Sequence, residues 1–205
     1  PFLFAVSKQD PRVVMAAHHQ AVEAIRATGA TFAVGVTLAV QDIVAVKGGE
    51  AIAAKHRLEV NEQYLTDLVD DDFVGVQCYT RHRYDANGAM PTEKGVELTQ
   101  MGYEFWPEAL ESSIRQAYVC SRLPVLVTEN GLSTTDDSRR IAFVERALQS
   151  VKNCLKDDIP VMGYTYWSLL DNYEWMLGYR PTFGLIAIDR STQQRTVKDS
   201  AVWLG

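Results

Sequence analysis

Four nearly continuous apolar runs are the strongest pattern in the chain. A strand that is covered on both faces, as in a parallel sheet flanked by helices, has this uninterrupted apolar character. Each run therefore predicts a buried strand. The runs are TFAVGVTLAV from Thr31, DFVGVQCYT near Phe73, VLVTEN from Val125 and VMGYTYWSLL from Val161.

Helical segments lie between the predicted strands. The first begins with Asp10 as N-cap and Pro11 at the first helical position, and it stops near Gly29. Its predicted buried face is Val14, Ala17, Ala21 and Ile25. Further helices are predicted at 50–68, 107–120 and 138–156, with Asp136 and Asp137 capping the last one. This alternation predicts an α/β fold in a single domain that spans 1–205.

Composition and charge exclude several classes of protein. The chain has 205 residues and a formal net charge of -6, and its Lys and Arg residues are scattered, which argues against a nucleic-acid partner. The apolar runs are too short to span a bilayer, so no membrane role is expected. The 3 cysteines lack metal-ligand spacing and predict free thiols in a reducing compartment. We expect a cytoplasmic protein with no cofactor and no bound metal.

Two short polar clusters have structural explanations. His18 and His19 are adjacent and point to different sides of a helix, so they cannot easily share a metal ion, and we expect a solvated or core position for them. Asp70, Asp71 and Asp72 are not followed by further spaced ligands. We interpret these three aspartates as a helix-to-strand turn with solvated charges.

Polar and aromatic side chains gather where the predicted strands end. The strand–helix alternation alone leaves a doubly wound sheet and a barrel open. No G-x-G-x-x-G or Walker loop follows any strand, which weakens a nucleotide-binding interpretation. A barrel instead carries its functional groups at the carboxyl ends of its strands. The residues at these ends are Gln77, Tyr79, Glu129, Asn130, Trp167, Asp171, Glu174 and Trp175.

Glu129 is the most unusual of these residues because it ends the apolar strand of PVLVTENGL. Asn130-Gly131 is a turn dipeptide, and a glutamate before such a turn can be a solvated strand end. A hairpin, however, requires a second strand directly after the turn, and here the polar segment LSTTDDSRR leads into a helix. The local pattern leaves a structural and a functional role for Glu129 equally open.

Longer motifs resemble glycoside hydrolase family 1, the β-glucosidase family. VTENG and WSLLDNYEWMLGYRPTFGL occur in the family's order, and FGLIAIDRSTQQRTVKDSAVWL is similar to the family's C-terminal run. DFVGVQCYT and QMGYEFWPEAL resemble further family segments. The resemblance implies a (β/α)8 TIM barrel, of which this chain supplies about the last four β/α units. It also implies a retaining β-glycosidase that hydrolyses β-glucosides or oligosaccharides by double displacement.

The resemblance implies roles for individual residues as well. Glu129 takes the place of the catalytic nucleophile, and Tyr79 takes the place of a tyrosine that hydrogen-bonds it. Tyr79 can also be explained as a strand aromatic packed in the core. The implied substrate-binding residues are Gln77, Trp167, Glu174, Trp175 and Phe183. Barrel packing also explains the aromatic rings, but Glu174 has little reason to lie within DNYEWM unless it is paired or bound to a ligand.

Some positions depart from the family pattern. Gln77 stands where many members have Asn, and Cys78 replaces a frequent second tyrosine, so the shape of the pocket is in question. Members that act on 6-phosphorylated sugars usually lack a Glu-Trp pair. Glu174 and Trp175 therefore predict an unphosphorylated glycone.

The family's general acid/base lies in an Asn-Glu-Pro motif that these 205 residues do not contain, since Asn61-Glu62 is followed by Gln63. The chain also opens directly at Pro1 into FLFAV, as if it were cut. We interpret it as the C-terminal half of a glycosidase that is inactive alone, with the N-terminal half absent. The expected partner is that complementary half-barrel or a second copy of the chain. A non-catalytic half-barrel that binds sugar is the alternative.

Overall fold

The structure is a computed structural model that describes residues 10–205, so the cut end predicted at Pro1 lies outside the described residues. The strands are β1 (Gly35–Ala39), β2 (Asp42–Ala45), β3 (Phe73–Gln77), β4 (Arg81–Asp85), β5 (Gly88–Ala89), β6 (Val125–Asn130), β7 (Val161–Tyr166), β8 (Ile186–Ile188) and β9 (Arg195–Val197). The central sheet has the order β1-β3-β6-β7, and all of its neighbouring strands are parallel. These are the four predicted strands, although β1 occupies only the second half of its apolar run.

Helices connect the parallel strands. They are α1 (Pro11–Ala27), α2 (Glu50–Arg57), α3 (Gln63–Leu65), α4 (Ala109–Ser121), α5 (Asp137–Lys156) and α6 (Asp199–Leu204). A π-helical turn at Leu58–Glu62 joins α2 to α3, so the predicted helix at 50–68 is confirmed but ends earlier. None of the helices in residues 10–205 combines the length and the apolar character needed to cross a bilayer.

Helix α1 begins as predicted, with the Asp10 side chain accepting a hydrogen bond from the Arg12 backbone. The predicted apolar face is only partly correct: Val14 and Ile25 are half-buried and Ala17 and Ala21 are exposed, whereas the fully buried residues of this helix are Met15 and Val22. The histidines between them are half-buried and occupy part of the contact surface. A count of apolar spacing misses this face because two of its members are polar.

The parallel sheet has one helix-covered face and one open face. On the covered face, the residues that alternate along β3 and β6 are fully buried: Val74, Val76, Val125 and Val127. On the other face, Thr37 of β1 and Thr165 of β7 are exposed. Within the described part of the chain, β1 and β7 each pair on one side only. The sheet is therefore open at both edges within residues 10–205.

Two smaller sheets were not predicted from the sequence. Strand β2 pairs in parallel with β4, and β5 returns antiparallel to β4. Strands β8 and β9 form an antiparallel hairpin. These strands contain only 2 to 5 residues each, so they lack the long apolar run by which the central strands were recognised.

The two histidines of α1 hold the turn before β3. His18 Nε2 lies 2.9 Å from both carboxylate oxygens of Asp71, and His19 Nε2 lies 2.8 Å from the Asp67 carbonyl oxygen. Asp71 also accepts a hydrogen bond from the Val36 backbone and is only 7% exposed. The prediction of solvated charges is therefore wrong for Asp71. Among residues 10–205, no group of three or more His, Cys, Asp or Glu side chains is placed to hold a metal ion.

Asp136 caps α5, as predicted, by accepting a hydrogen bond from the Ser138 backbone. Asp137 does not share this cap. Its carboxylate instead accepts hydrogen bonds from the backbone and the hydroxyl of Ser200, which attaches α6 to α5. Burial opposes ionisation of Asp137, but the hydrogen bonds from Ser200 and Arg140 outweigh it and leave the pKa below its usual value.

Arg140 ties together the segments that surround the carboxyl end of β7. Its side chain is 1% exposed and forms an ion pair with Asp137. Its Nε donates to the Tyr166 hydroxyl at 3.0 Å, and its second terminal nitrogen donates to the carbonyl oxygens of Thr134 and Thr182. One buried cation thus connects the loops after β6 and β7 to the start of α5.

Replacing Arg140 with Met is expected to lower the free energy of unfolding by about 3–5 kcal/mol, because it leaves Asp137 and two carbonyl groups without their charged partner. The neighbouring Arg139 is a control with less burial, since its side chain is 38% exposed, pairs with Glu97 and lies 4.3 Å over the Phe105 ring. Arg139→Met should cost less than about 1 kcal/mol. Urea unfolding of the two variants measures the difference, and equal losses would contradict the proposed role of Arg140.

Candidate active site

Sheet register brings Gln77 and Glu129 together at one edge of the parallel sheet. Glu129 is the residue before the last in β6, and Gln77 ends β3. The two residues are paired in the β3–β6 ladder, after a register shift between Val76 and Gln77. Because the strands are parallel, their carboxyl ends lie side by side and the polar groups that follow them converge.

The Glu129 carboxylate receives one hydrogen bond on each oxygen. Gln77 Nε2 donates to Oε1 at 2.8 Å, and the Tyr79 hydroxyl donates to Oε2 at 2.5 Å. Gln77 and Tyr79 are two positions apart and therefore point to the same side of the chain. Cys78 between them points the other way into the core, where burial raises the pKa of its thiol to about 12. The thiol therefore stays protonated in the core and does not face Glu129.

Charge and burial keep the Tyr79 hydroxyl protonated. Burial raises the pKa of this phenol far above its usual value, and the hydrogen bond to Glu129 and the charges of Glu129 and Glu174 raise it further. Burial also raises the pKa of Glu174, with a further contribution from the charge of Glu129. Tyr79 is therefore a fixed donor to Glu129 that also lies within electrostatic reach of Glu174.

The Asn-Gly dipeptide after Glu129 is not a hairpin turn. The Asn130 side chain is buried and donates to the Cys78 carbonyl oxygen at 2.6 Å, while it accepts a hydrogen bond from the Tyr164 hydroxyl at 2.8 Å. A Cβ atom on Gly131 would lie 1.9 Å from the Trp167 carbonyl oxygen, so only glycine allows this approach of the two strand ends. Asn130 and Gly131 therefore fix β6 against β3 and β7.

The loop after β7 carries the remaining predicted site residues. Phe183 is 5% exposed, and its ring packs edge-to-face against Tyr79 with 6.0 Å between the ring centroids. The Trp167 backbone donates to the Asn130 carbonyl oxygen at 2.9 Å. Trp175 lies at the surface, with 61% of the residue exposed. The structure thus brings Gln77, Tyr79, Glu129 and Phe183 into direct contact, places Glu174 within electrostatic reach, and leaves the Trp175 ring at the outer margin.

The role of Asp171 differs from the one predicted from the sequence. Asp171 was grouped with the polar strand ends, but its carboxylate accepts from the Gly184 backbone at 2.7 Å and pairs with Lys198 Nζ at 3.1 Å. Asp171 therefore holds the loop and is not available to a ligand.

Tyr103 belongs to the site but was not predicted from the sequence. Burial raises the pKa of Tyr103, and the charge of Glu174 raises it further. Tyr103 in turn contributes to the raised pKa of Tyr79, so Tyr103 belongs to the same electrostatic group. No local pattern marks Tyr103, apart from its place in QMGYEFWPEAL.

Comparison with known proteins decides the family. The model of glycosyl hydrolase family 1 matches residues 51–205. The chain belongs to glycosyl hydrolase family 1. Among its relatives is a 1,4-beta-D-glucan glucohydrolase from Thermotoga neapolitana, 33% identical over 71% of this chain and 38% of the relative. A beta-glucosidase from an Agrobacterium species is 37% identical over 64% of this chain and 33% of the relative.

Solved structures of family 1 members share the fold. The beta-glycosidase BGL167 superposes with a TM-score of 0.93 and 50% identity over 100% of this chain and 49% of the solved chain. The beta-glucosidase 1317 gives a TM-score of 0.87 and 42% identity over 95% of this chain and 49% of its own length. The chain thus spans about half of these solved chains and less of the curated relatives. The predicted fold class, a partial (β/α)8 TIM barrel, is confirmed.

Proposed function

We propose that the chain carries the nucleophile side of a retaining β-glucosidase site, with Glu129 as the nucleophile. The observation that carries this proposal is the Glu129 carboxylate at the end of a parallel strand, with one neutral donor on each oxygen. Neutral donors fix a carboxylate without neutralising its charge, and ionised oxygen is what attacks an anomeric carbon. A solvated strand end would have no need of such fixed donors.

In the proposed reaction, a Glu129 oxygen forms a bond to the anomeric carbon while the bond to the aglycone oxygen breaks. A carboxylic acid about 5–5.5 Å away gives its proton to that oxygen as it leaves. Water then attacks the glycosyl ester, the same second carboxylate takes the proton of that water, and Glu129 is released. Tyr79 keeps the attacking carboxylate oriented in both steps.

The second carboxylate is proposed to come from an N-terminal half-barrel that supplies an Asn-Glu-Pro segment. The open face of the parallel sheet and the unpaired outer edges of β1 and β7 within residues 10–205 both support this partner. The solved relatives support it as well, since about half of each solved chain lies beyond the part that this chain matches. We call this chain together with such an N-terminal half-barrel the assembled enzyme.

Sugar recognition is proposed for the loop after β7. The flat face of Trp167 suits the C–H face of a glucose ring, Glu174 can accept hydrogen bonds from two hydroxyls, and the Trp175 indole can donate one. Phe183 contributes through its contact with Tyr79. We propose an unphosphorylated β-glucoside or oligosaccharide as substrate, in keeping with the beta-glucosidases among the relatives.

The nucleophile is tested by trapping it. A 2-deoxy-2-fluoro-β-glucosyl fluoride forms an ester with the nucleophile of a retaining enzyme, and this ester is hydrolysed only slowly. Mass spectrometry after proteolysis of the assembled enzyme should therefore find the label on a peptide that contains Glu129. The label should be absent from the Glu129→Gln variant. A label on any other carboxylate would contradict the assignment of Glu129 as the nucleophile.

A 6-phosphoglucoside is expected to be a far poorer substrate than the plain glucoside. Glu174 and Glu129 already place two carboxylates in the site, and a phosphate beside them adds repulsion of like charges. We expect kcat/KM to fall by about 100-fold or more, and the Glu174→Gln variant to reduce this gap. Parallel kinetics on the two nitrophenyl substrates measure it, and equal kcat/KM values would overturn the proposed glycone preference.

A further inference from the structure

Gln77 is held opposite Glu129 by the backbone itself. The β3–β6 ladder pairs the two residues directly, and neighbouring strands lie about 4.8 Å apart. At that separation, the long Gln77 side chain places its amide nitrogen 2.8 Å from Glu129 Oε1. The contact therefore depends on strand pairing and on side-chain length, not on a mobile loop.

The Gln77 amide complements the Tyr79 hydroxyl. A carboxylate held through one oxygen can pivot about that single hydrogen bond, whereas donors on both oxygens fix its plane. Two oxygens offer about four acceptor sites, so one donor on each still leaves a lone pair for attack. The two donors also come from one strand segment, since Gln77 and Tyr79 flank the buried Cys78.

Neutral donors suit this position. Burial, with a further contribution from the charge of Glu129, raises the pKa of Glu174, so the loop after β7 brings a second carboxyl group within electrostatic reach of Glu129. A carboxamide holds the Glu129 carboxylate at 2.8 Å without adding a charge of its own. The amide of Gln77 is thus engaged by the protein before any sugar arrives.

We propose that Gln77 is a positioning residue for the Glu129 carboxylate, in place of the sugar-binding role that the sequence predicted. This inference rests on the proposed function of Glu129. A residue that acts only through the nucleophile affects the rate of the chemical step and leaves the affinity for the sugar unchanged. A sugar ligand affects affinity, and the two roles are therefore separable.

The first experiment separates the two roles in the assembled enzyme. Gln77→Met keeps the length of the side chain and removes its donor, and Gln77→Leu is a second apolar variant in case the first fails to fold. Trapping with 2-deoxy-2-fluoro-β-glucosyl fluoride yields a dissociation constant and a rate constant for labelling. We expect the rate constant to fall about 10-fold or more and the dissociation constant to stay within about twofold.

The matched control is Gln20→Met, an exposed glutamine on α1, which should change neither constant. A raised dissociation constant with an unchanged labelling rate would show that Gln77 binds sugar. No change in either constant would show that Gln77 has no role in this step. Either result overturns the proposal.

The second experiment removes the group through which Gln77 is proposed to act. In a Glu129→Gly variant, azide can attack the anomeric carbon of 2,4-dinitrophenyl β-glucoside, and dinitrophenolate leaves with the bonding electrons to give α-glucosyl azide. Adding Gln77→Met to this background should change the azide-dependent rate by less than about twofold, because the carboxylate is gone. A 10-fold loss that persists without the carboxylate would overturn the positioning role. If the Glu129→Gly variant instead turns over fully without azide, Glu129 is not the nucleophile, and it is the proposed function that fails.

Discussion

Glu129→Gln in the assembled enzyme is expected to lower kcat by about 10⁴-fold or more, because a carboxamide cannot form the glycosyl ester. Its amide group has nearly the shape of the carboxylate and keeps one oxygen that can accept the hydrogen bond from Tyr79. The fold and the affinity for a sugar should therefore remain close to those of the parent. Steady-state kinetics on an aryl β-glucoside give kcat, and displacement titration with a non-hydrolysed glucose analogue gives the affinity.

The matched control is Glu145→Gln, an exposed glutamate on α5, which should leave kcat unchanged. If the Glu129→Gln variant keeps more than about one tenth of kcat, the assignment of Glu129 as the nucleophile is wrong. Loss of sugar affinity together with loss of the folded circular-dichroism signal would instead identify a structural role.

The 205-residue chain alone is expected to show no sustained turnover of cellobiose. An ordinary alkoxide leaving group needs a proton from a positioned acid, which typically contributes about 10²–10⁴-fold, and this chain has no Asn-Glu-Pro segment to supply it. Aryl glucosides with acidic leaving groups need that proton less. A slow burst of released phenol, followed by a stalled glycosyl-enzyme, is the most that we expect from the chain alone.

Mixing or joining the chain with the proposed N-terminal half-barrel should restore turnover. The measurement compares nitrophenyl β-glucoside and cellobiose with and without that half. Sustained cellobiose hydrolysis by the chain alone, abolished by Glu129→Gln, would show that a second carboxylate within these residues acts as the acid. That result would contradict the proposed division of the site between two halves.

Local sequence determined the four central strands, the helices between them and the end of β6. The uninterrupted apolar runs located the four central strands, although one face of their sheet is open in residues 10–205, and the Asp-Pro start of α1 specifies a helix terminus. These signals depend only on residues within a few positions. The resemblance in VTENG and the loop after β7 indicated the family and the predicted members of the site without any knowledge of their contacts. The short strands β2, β4, β5, β8 and β9 were missed, since their pairing depends on partners elsewhere in the chain.

Tertiary structure alone decided which polar groups face the site and which hold the fold. Asp171 and Glu174 lie in one loop, yet Asp171 is paired with Lys198 while Glu174 interacts with Glu129. Arg140 is a buried connector, whereas its neighbour Arg139 is a surface residue. Spacing along the chain cannot distinguish such neighbours, because a side chain's partner is set by strand register and helix packing over tens of residues. The sequence itself determined where Glu129 stands, and only the register of β3 against β6 determined that Gln77 and Tyr79 hold it.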